Sequence, residues 1–102
     1  MYLSELIEVL EKWPNKEQRV PIGFTRPHSY RGYYEDLAFE PKANVTVQHM
    51  LDCAKSALGK TFSGYKGGDY TMGEYTDVWL AKYGNIGEGI GPVLLDYMLG
   101  NV

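Results

Sequence analysis

A helix signal between Thr46 and Gly59 constrains the fold of this chain more than any other stretch. Thr46 is a typical N-cap residue, and Val45 and Met50 occupy the two positions of a hydrophobic staple. Gly59 supplies a left-handed stop at the other end. The apolar residues between these limits follow helical spacing and are Val47, Met50, Leu51, Ala54 and Leu58. We therefore expect a helix with one face buried in a core.

A second amphipathic helix is predicted at the start of the chain and a third, shorter one at its end. The first has glutamates on its polar face and ends before Pro14, because the residue before a proline avoids helical geometry. Its apolar positions are Leu3, Leu6, Ile7, Leu10 and Trp13. The last helix is expected from Pro92 to about Leu99, with Gly100 after it.

Alternating apolar residues predict two strands, from Arg19 to Phe24 and from Tyr33 to Phe39. We expect these strands to pair as a hairpin that carries the loop Arg26–Gly32 at its tip. Pro21 suits an edge strand, because it cannot donate a ladder hydrogen bond. Pro41 to Asn44 is predicted to form a turn before the central helix.

The second half of the chain predicts one further buried strand between glycine-rich segments. Thr61 to Tyr75 is interpreted as a loop with one short strand, Tyr75 to Tyr83 as a central strand, and Gly84 to Gly91 as a mobile loop. The expected fold is α+β, a single compact domain over residues 1–102. In it, a small antiparallel sheet packs with two main helices and a short C-terminal helix.

Charge and cysteine usage exclude several classes of protein. The net charge of −3 and the pI near 5.3 argue against binding of duplex nucleic acid through a broad basic face. Cys53 is alone, so no internal disulfide can form. No apolar run approaches the roughly 20 residues that span a membrane, and we expect a cytoplasmic protein. The tyrosine-rich composition favours a homo-oligomer.

The segment Phe24–Tyr34 is the leading candidate for a binding site. No acidic residue lies between Gln18 and Tyr34, whereas Arg19, Arg26 and Arg31 are all three of the arginines in the chain. Arginine offers a planar fork for phosphate, and tyrosine offers a stacking face with a hydrogen-bonding tip. The alternative is structural: both loop arginines pair with carboxylates such as Glu35, Asp36 and Glu40, and the tyrosines form a half-buried core.

A second stretch, Tyr65–Gly68, offers a lysine beside two glycines that permit close backbone approach to an anion. We assign Arg26 and Arg31 to phosphate. His28, Ser29 and Lys66 are assigned as supporting donors and Tyr30, Tyr33 and Tyr65 as stacking partners of a base. The predicted ligand-binding residues are thus Arg26, His28, Ser29, Tyr30, Arg31, Tyr33, Tyr65, Lys66, Gly67 and Gly68. That the two stretches meet in space is a hypothesis.

Catalytic and metal motifs are weak. Ser29 beside His28, or Cys53 with His49, could be proposed as a nucleophile with its base, but neither pair has an evident oxyanion hole. Gly67-Gly68-Asp69 is similar to the active-site loop of cyclic-dinucleotide synthases, but the chain is far too short for that domain. Gly84–Gly91 lacks the chain that would complete a dinucleotide-binding unit. We expect no catalytic residue, no metal site and no cofactor.

Several strings resemble small proteins of unknown function encoded by tailed bacteriophages. They are Pro27–Tyr34, Leu37–Pro41, Ala57–Phe62, Gly64–Gly68, Tyr70–Met72 and Tyr75–Thr76, and the resemblance spans roughly Pro21 to Leu99. It implies a phage accessory protein in the cytoplasm of the bacterial host. Short phage proteins of this kind include inhibitors of host defence, some of which sequester cyclic oligonucleotide or NAD-derived signals.

Three functions follow from the sequence as hypotheses. The first is non-catalytic binding of a small phosphorylated ligand, a cyclic oligonucleotide or NAD-derived immune signal, as an anti-defence sponge. The second is a protein-interaction module that inhibits a host protein, because tyrosine and arginine also dominate protein interfaces. The third is a nucleotide hydrolase.

Overall fold

A computed structural model describes residues 1–82 and 87–100 of the chain. In chain order its elements are α1 (Leu3–Lys12), β1 (Arg19–Ser29), β2 (Leu37–Thr46), α2 (Val47–Ala57), β3 (Thr61–Ser63), β4 (Asp69–Thr71), β5 (Val78–Leu80), β6 (Glu88–Gly89) and α3 (Pro92–Leu99). The predicted α+β class is confirmed.

The main sheet has four strands in the order β1-β2-β5-β6, and β3 and β4 form a separate hairpin. The pairs β1–β2 and β5–β6 are antiparallel, whereas β2 and β5 run parallel. The parallel pair differs from the purely antiparallel sheet expected from the sequence. It arises because α2 and the β3–β4 hairpin connect β2 to β5 and return the chain to the end of the sheet where β2 begins.

The three helices contribute to one core on a single face of the sheet. Phe24 and Phe39 lie at its centre with ring centroids 4.4 Å apart. Buried side chains of α1, α2 and α3 pack in the same cluster, including Leu3, Leu6, Leu10, Met50, Leu51, Ala54, Leu95 and Met98. The predicted apolar stripes therefore identify the core faces of the helices.

The helix ends follow the predicted signals, with one correction. The Oγ1 atom of Thr46 accepts a hydrogen bond from the His49 amide at 3.1 Å, which confirms the N-cap of α2. Gly100 ends α3 in the left-handed conformation, with φ of 78°. The prediction that Leu58 belongs to the apolar stripe of α2 is wrong, because the helix ends at Ala57 and Leu58 is exposed.

The β1–β2 hairpin is longer than predicted and its strands are shifted. Strand β1 continues to Ser29, and the residues predicted to begin the second strand form the turn instead, closed by a hydrogen bond from the Asp36 amide to the Tyr33 carbonyl. The predicted turn at Pro41–Asn44 is wrong as well, since these residues lie inside β2. Pro41 is tolerated there because β5 pairs only with Leu37–Phe39, which leaves the far edge of β2 open.

A β-bulge in β1 decides which face the next residues occupy. Phe24 pairs with Pro41 and Pro27 pairs with Phe39, so two residues of β1, Thr25 and Arg26, lie opposite Glu40 alone. Simple alternation would place His28 on the same face as Phe24. The extra residue inverts this alternation, and His28 emerges on the face of the sheet away from the helices.

The second half of the chain differs from prediction in detail. Thr61–Tyr75 contains two short strands, β3 and β4, where one was expected. Strand β5 lies inside the sheet as predicted but is shorter than Tyr75–Tyr83, and Tyr83 lies outside the described residues. The predicted mobile loop Gly84–Gly91 is described only from residue 87 onward, where β6 begins at Glu88. None of the helices in the described parts of the chain is long and apolar enough to cross a membrane.

Candidate functional site

A cavity of about 300 Å³ opens on the face of the sheet away from the helices, between the end of β1 and the β3–β4 hairpin. We call it the Arg31 cavity. It is lined by His28, Ser29, Arg31, Glu40, Ser63, Tyr65 and Lys82. Four of these residues come from the two stretches that the sequence indicated, so the structure brings those stretches together.

The contact that joins the two stretches is a stack of Arg31 on Tyr65. The guanidinium carbon of Arg31 lies 3.8 Å from the centroid of the Tyr65 ring. Stacking uses the flat face of the guanidinium, whose N–H bonds lie in the plane of the group. Tyr65 is 62% exposed, so part of its surface is accessible to a planar ligand.

The β3–β4 hairpin is held beside the turn after β1 by tight packing around Gly64. Tyr34 and Tyr70 meet edge to face, with ring centroids 5.7 Å apart. Gly64 is buried beneath them, and its amide donates to the Gly68 carbonyl at 2.9 Å. A side chain at Gly64 would lie 2.8 Å from the Gly67 carbonyl oxygen and 3.1 Å from Tyr34. The absence of a side chain at Gly64 therefore permits the close packing of the hairpin segment that carries Tyr65.

His28 and Ser29 line the cavity, but their polar atoms contact the backbone. The two ring nitrogens of His28 lie 3.0 Å from the Ser29 and Ala81 carbonyl oxygens, on opposite sides of the ring. The Ser29 hydroxyl donates to the Tyr34 carbonyl at 2.6 Å. Both side chains tie the end of β1 to its neighbours, and their role as ligand donors stays a prediction.

Arg26 lies beside the cavity and pairs with one of its walls. Its Nε atom is 3.2 Å from Oε2 of Glu40, and this ion pair is the structural alternative considered for the arginines. The Arg26 side chain is 83% exposed, whereas that of Glu40 is only 20% exposed. The cavity therefore has two cationic side chains, Arg31 and Lys82. It also has the carboxylate of Glu40, whose negative charge is partly balanced by Arg26 outside the cavity.

Tyr30 is buried against Trp79 and does not line the Arg31 cavity. It is 3% exposed and stacks on Trp79, with ring centroids 4.4 Å apart and planes 15° from parallel. The indole N–H of Trp79 donates to Oδ2 of Asp36 at 3.0 Å, and burial raises the pKa of this carboxyl. Tyr33 is exposed beside this cluster, 6.4 Å from the ring of Trp79, and does not line the Arg31 cavity.

The remaining predicted residues, Lys66, Gly67 and Gly68, form the exposed tip of the β3–β4 hairpin. Gly67 and Gly68 have φ of 101° and 83°, a left-handed region that favours glycine, so they serve the turn. They lie next to Tyr65 but not on the cavity wall. Sequence reasoning missed Ser63 and Lys82 as lining residues, and it treated Glu40 only as a partner for arginine. Ser63 and Lys82 carry no local signal, because distant pairing places them.

A separate polar cluster joins β1 to α2. Thr25 Oγ1 lies 2.8 Å from Nε2 of His49, and the Cys53 sulfur lies 3.7 Å from the same nitrogen. Burial raises the pKa of the Cys53 thiol, which favours the protonated form over a nucleophilic thiolate. Within residues 1–82 and 87–100, no group of three potential metal ligands comes together.

Comparison with protein families, with curated proteins and with solved structures found no match for this chain.

Proposed function

We propose that this protein binds a small phosphorylated ligand of nucleotide type in the Arg31 cavity and sequesters it without chemical change. The observation that carries the proposal is the stack of Arg31 on Tyr65 at the wall of a cavity that Lys82 also lines. It combines a cation, a second cation and an exposed aromatic face within one concave site.

The phosphate and the base of a nucleotide each have a counterpart in the site. Phosphate oxygens accept hydrogen bonds from the in-plane edge of Arg31, whose orientation is held by Tyr65. Lys82 adds a second positive charge. A base stacks on the outer face of Tyr65, which binds any base without hydrogen-bond readout. Because the arginine is already oriented, little conformational entropy is lost when the ligand binds.

The cavity volume sets the size of what enters. About 300 Å³ is at the lower end of ligand pockets and suits one nucleotide unit. A cyclic oligonucleotide or an NAD-derived signal would place one unit in the cavity and extend over the exposed Tyr65 and Lys66. A homo-oligomer that brings two cavities together would hold such a ligand from both ends.

Binding without turnover is supported by the two contacts of His28. A general base needs a ring nitrogen directed at the substrate, and both nitrogens of His28 are directed at carbonyl oxygens. This argues against the nucleotide hydrolase. Together with the resemblance to phage proteins, it supports a role as an anti-defence sponge in the bacterial cytoplasm.

The test is a binding panel followed by a matched pair of variants. Thermal shift and calorimetry are measured with inorganic phosphate, mononucleotides, cyclic di- and trinucleotides, cyclic ADP-ribose and NAD. We expect one class to raise Tm, since a ligand at a hundred times its Kd adds about 2.7 kcal/mol. The ligand should be recovered intact.

Arg31→Ala should then abolish the shift. Arg19→Ala, an exposed arginine of β1 whose side chain donates to the Asn44 carbonyl, should leave it unchanged. No shift from any compound in the panel, or equal loss in both variants, would refute the proposal.

One observation favours the alternative, a protein partner. Val93 and Tyr97 are one turn apart on α3 and are 82% and 65% exposed, so they form an exposed apolar pair on this helix. A host protein that co-purifies with the chain, and that Val93→Asp displaces while Arg31→Ala does not, would favour this alternative.

A further inference from the structure

We infer that Glu40 is the specificity-determining residue of the Arg31 cavity, and that its carboxylate accepts two adjacent hydrogen-bond donors of the ligand at a point away from the phosphate. This inference rests on the proposed function and names the chemistry that the ligand must carry besides its anion. Two groups of a nucleotide present such a donor pair, the cis-diol of ribose and the N–H edge of guanine.

The first support is the position of the carboxylate. Glu40 lies opposite the bulge in β1, lines the cavity and has a side chain that is only 20% exposed. Among the described residues its ion-pair partner is Arg26, which contacts Oε2. An ionised carboxylate has about four acceptor positions, and the contact with Arg26 uses one of them.

The second support is the restriction of this carboxylate at the cavity wall. Arg26 lies in the bulge opposite Glu40, and its Nε atom is 3.2 Å from Oε2. The Arg26 side chain is 83% exposed, so solvent screens its attraction for the carboxylate. The carboxylate is held mainly by its own burial, because the Glu40 side chain is only 20% exposed.

The third support is electrostatic. A carboxylate beside Arg31 and Lys82 would repel a phosphate placed against it, so the phosphate and Glu40 must contact different ends of the ligand. A ligand with an anion alone would desolvate the carboxylate and leave its acceptor positions beyond the Arg26 contact unfilled, which costs free energy. A ligand with an anion at one end and a donor pair at the other would bind the two cations and the Glu40 carboxylate at the same time.

The experiment compares four mononucleotides by calorimetry: AMP, 2′-deoxy-AMP, GMP and 2′-deoxy-GMP. If Glu40 binds the diol, both ribonucleotides should bind at least about tenfold more tightly than their deoxy forms, the ratio that 1.4 kcal/mol produces. If it binds the guanine edge, GMP and 2′-deoxy-GMP should both exceed AMP by that factor. Either pattern supports the inference.

Glu40→Gln is the variant that ties the preference to this carboxylate. It should abolish the preference while inorganic phosphate binds as well as before or better, because a nearby negative charge is gone. Glu17→Gln, an exposed carboxylate in the turn before β1, makes the same change of net charge and should alter nothing.

Equal binding of all four nucleotides to the wild-type protein would overturn the inference and leave the proposed function standing. A preference that survives in Glu40→Gln would do the same. If neither the nucleotides nor inorganic phosphate bind, the proposed function fails and the inference falls with it.

Discussion

Gly64→Ala tests whether close packing of the β3–β4 hairpin builds the Arg31 cavity. The new methyl group would lie 2.8 Å from the Gly67 carbonyl oxygen, 2.9 Å from the Tyr70 ring and 3.1 Å from the Tyr34 ring. One of these atoms is backbone, so the hairpin tip must move. Overpacking of this kind costs about 1–3 kcal/mol.

The expected result is a loss of stability coupled to a loss of binding. At about 4–8 °C per kcal/mol for a domain near this size, Tm should fall by roughly 4–24 °C. The movement displaces Tyr65, the next residue, from its position 3.8 Å from Arg31. A ligand found by the panel should therefore bind more weakly to Gly64→Ala, measured by calorimetry well below the new Tm.

Gly73→Ala is the matched control, since it makes the same substitution just after the same hairpin. A methyl group at Gly73 would have no heavy atom within 4 Å. Its backbone needs no left-handed conformation, so loss of freedom in the unfolded chain should stabilise the protein by about 0.4–1 kcal/mol. Equal melting temperatures for Gly64→Ala and the wild type would refute the reasoning about this packing.

Three further predictions concern the fold. Burial raises the folded-state pKa of Asp36, so its favourable contribution is complete at low pH and is lost as pH rises through that pKa. Asp36→Asn, which keeps an acceptor for Trp79, should therefore raise Tm near pH 7 and give no gain near pH 3; a gain of the same size at both pH values would contradict this. Thr46→Ala should cost about 0.5–2 kcal/mol in urea unfolding by removing the N-cap bond to His49, and an unchanged midpoint would count against that cap. Phe39→Ala should lower the free energy of unfolding by about 3–5 kcal/mol, because Phe39 is fully buried. A smaller loss would mean that neighbouring core side chains fill the space left by the ring.

The candidate site was predictable in part. Arg31 and Tyr65 could be selected because their chemistry is visible in single residues, a cation with a planar fork and an aromatic ring with a polar tip. Tyr30 could not be told apart from Tyr65 on that basis, although one is stacked on Trp79 in the core and the other is exposed. Lys82 could not be found at all, because only the position of β5 beside β2 brings the end of that strand to the cavity.

The helices are predictable from the sequence, because their caps and apolar stripes are local and act within a few residues. Thr46, Pro14 and Gly100 mark ends that neighbouring side chains alone can specify. Which face of the sheet a side chain occupies depends on long-range pairing. A single extra residue at Thr25–Arg26 moves every later side chain of β1 to the opposite face. Nothing within β1 distinguishes the bulged register from simple alternation. Burial of the Phe24 and Phe39 rings in one core, with centroids 4.4 Å apart, selects it.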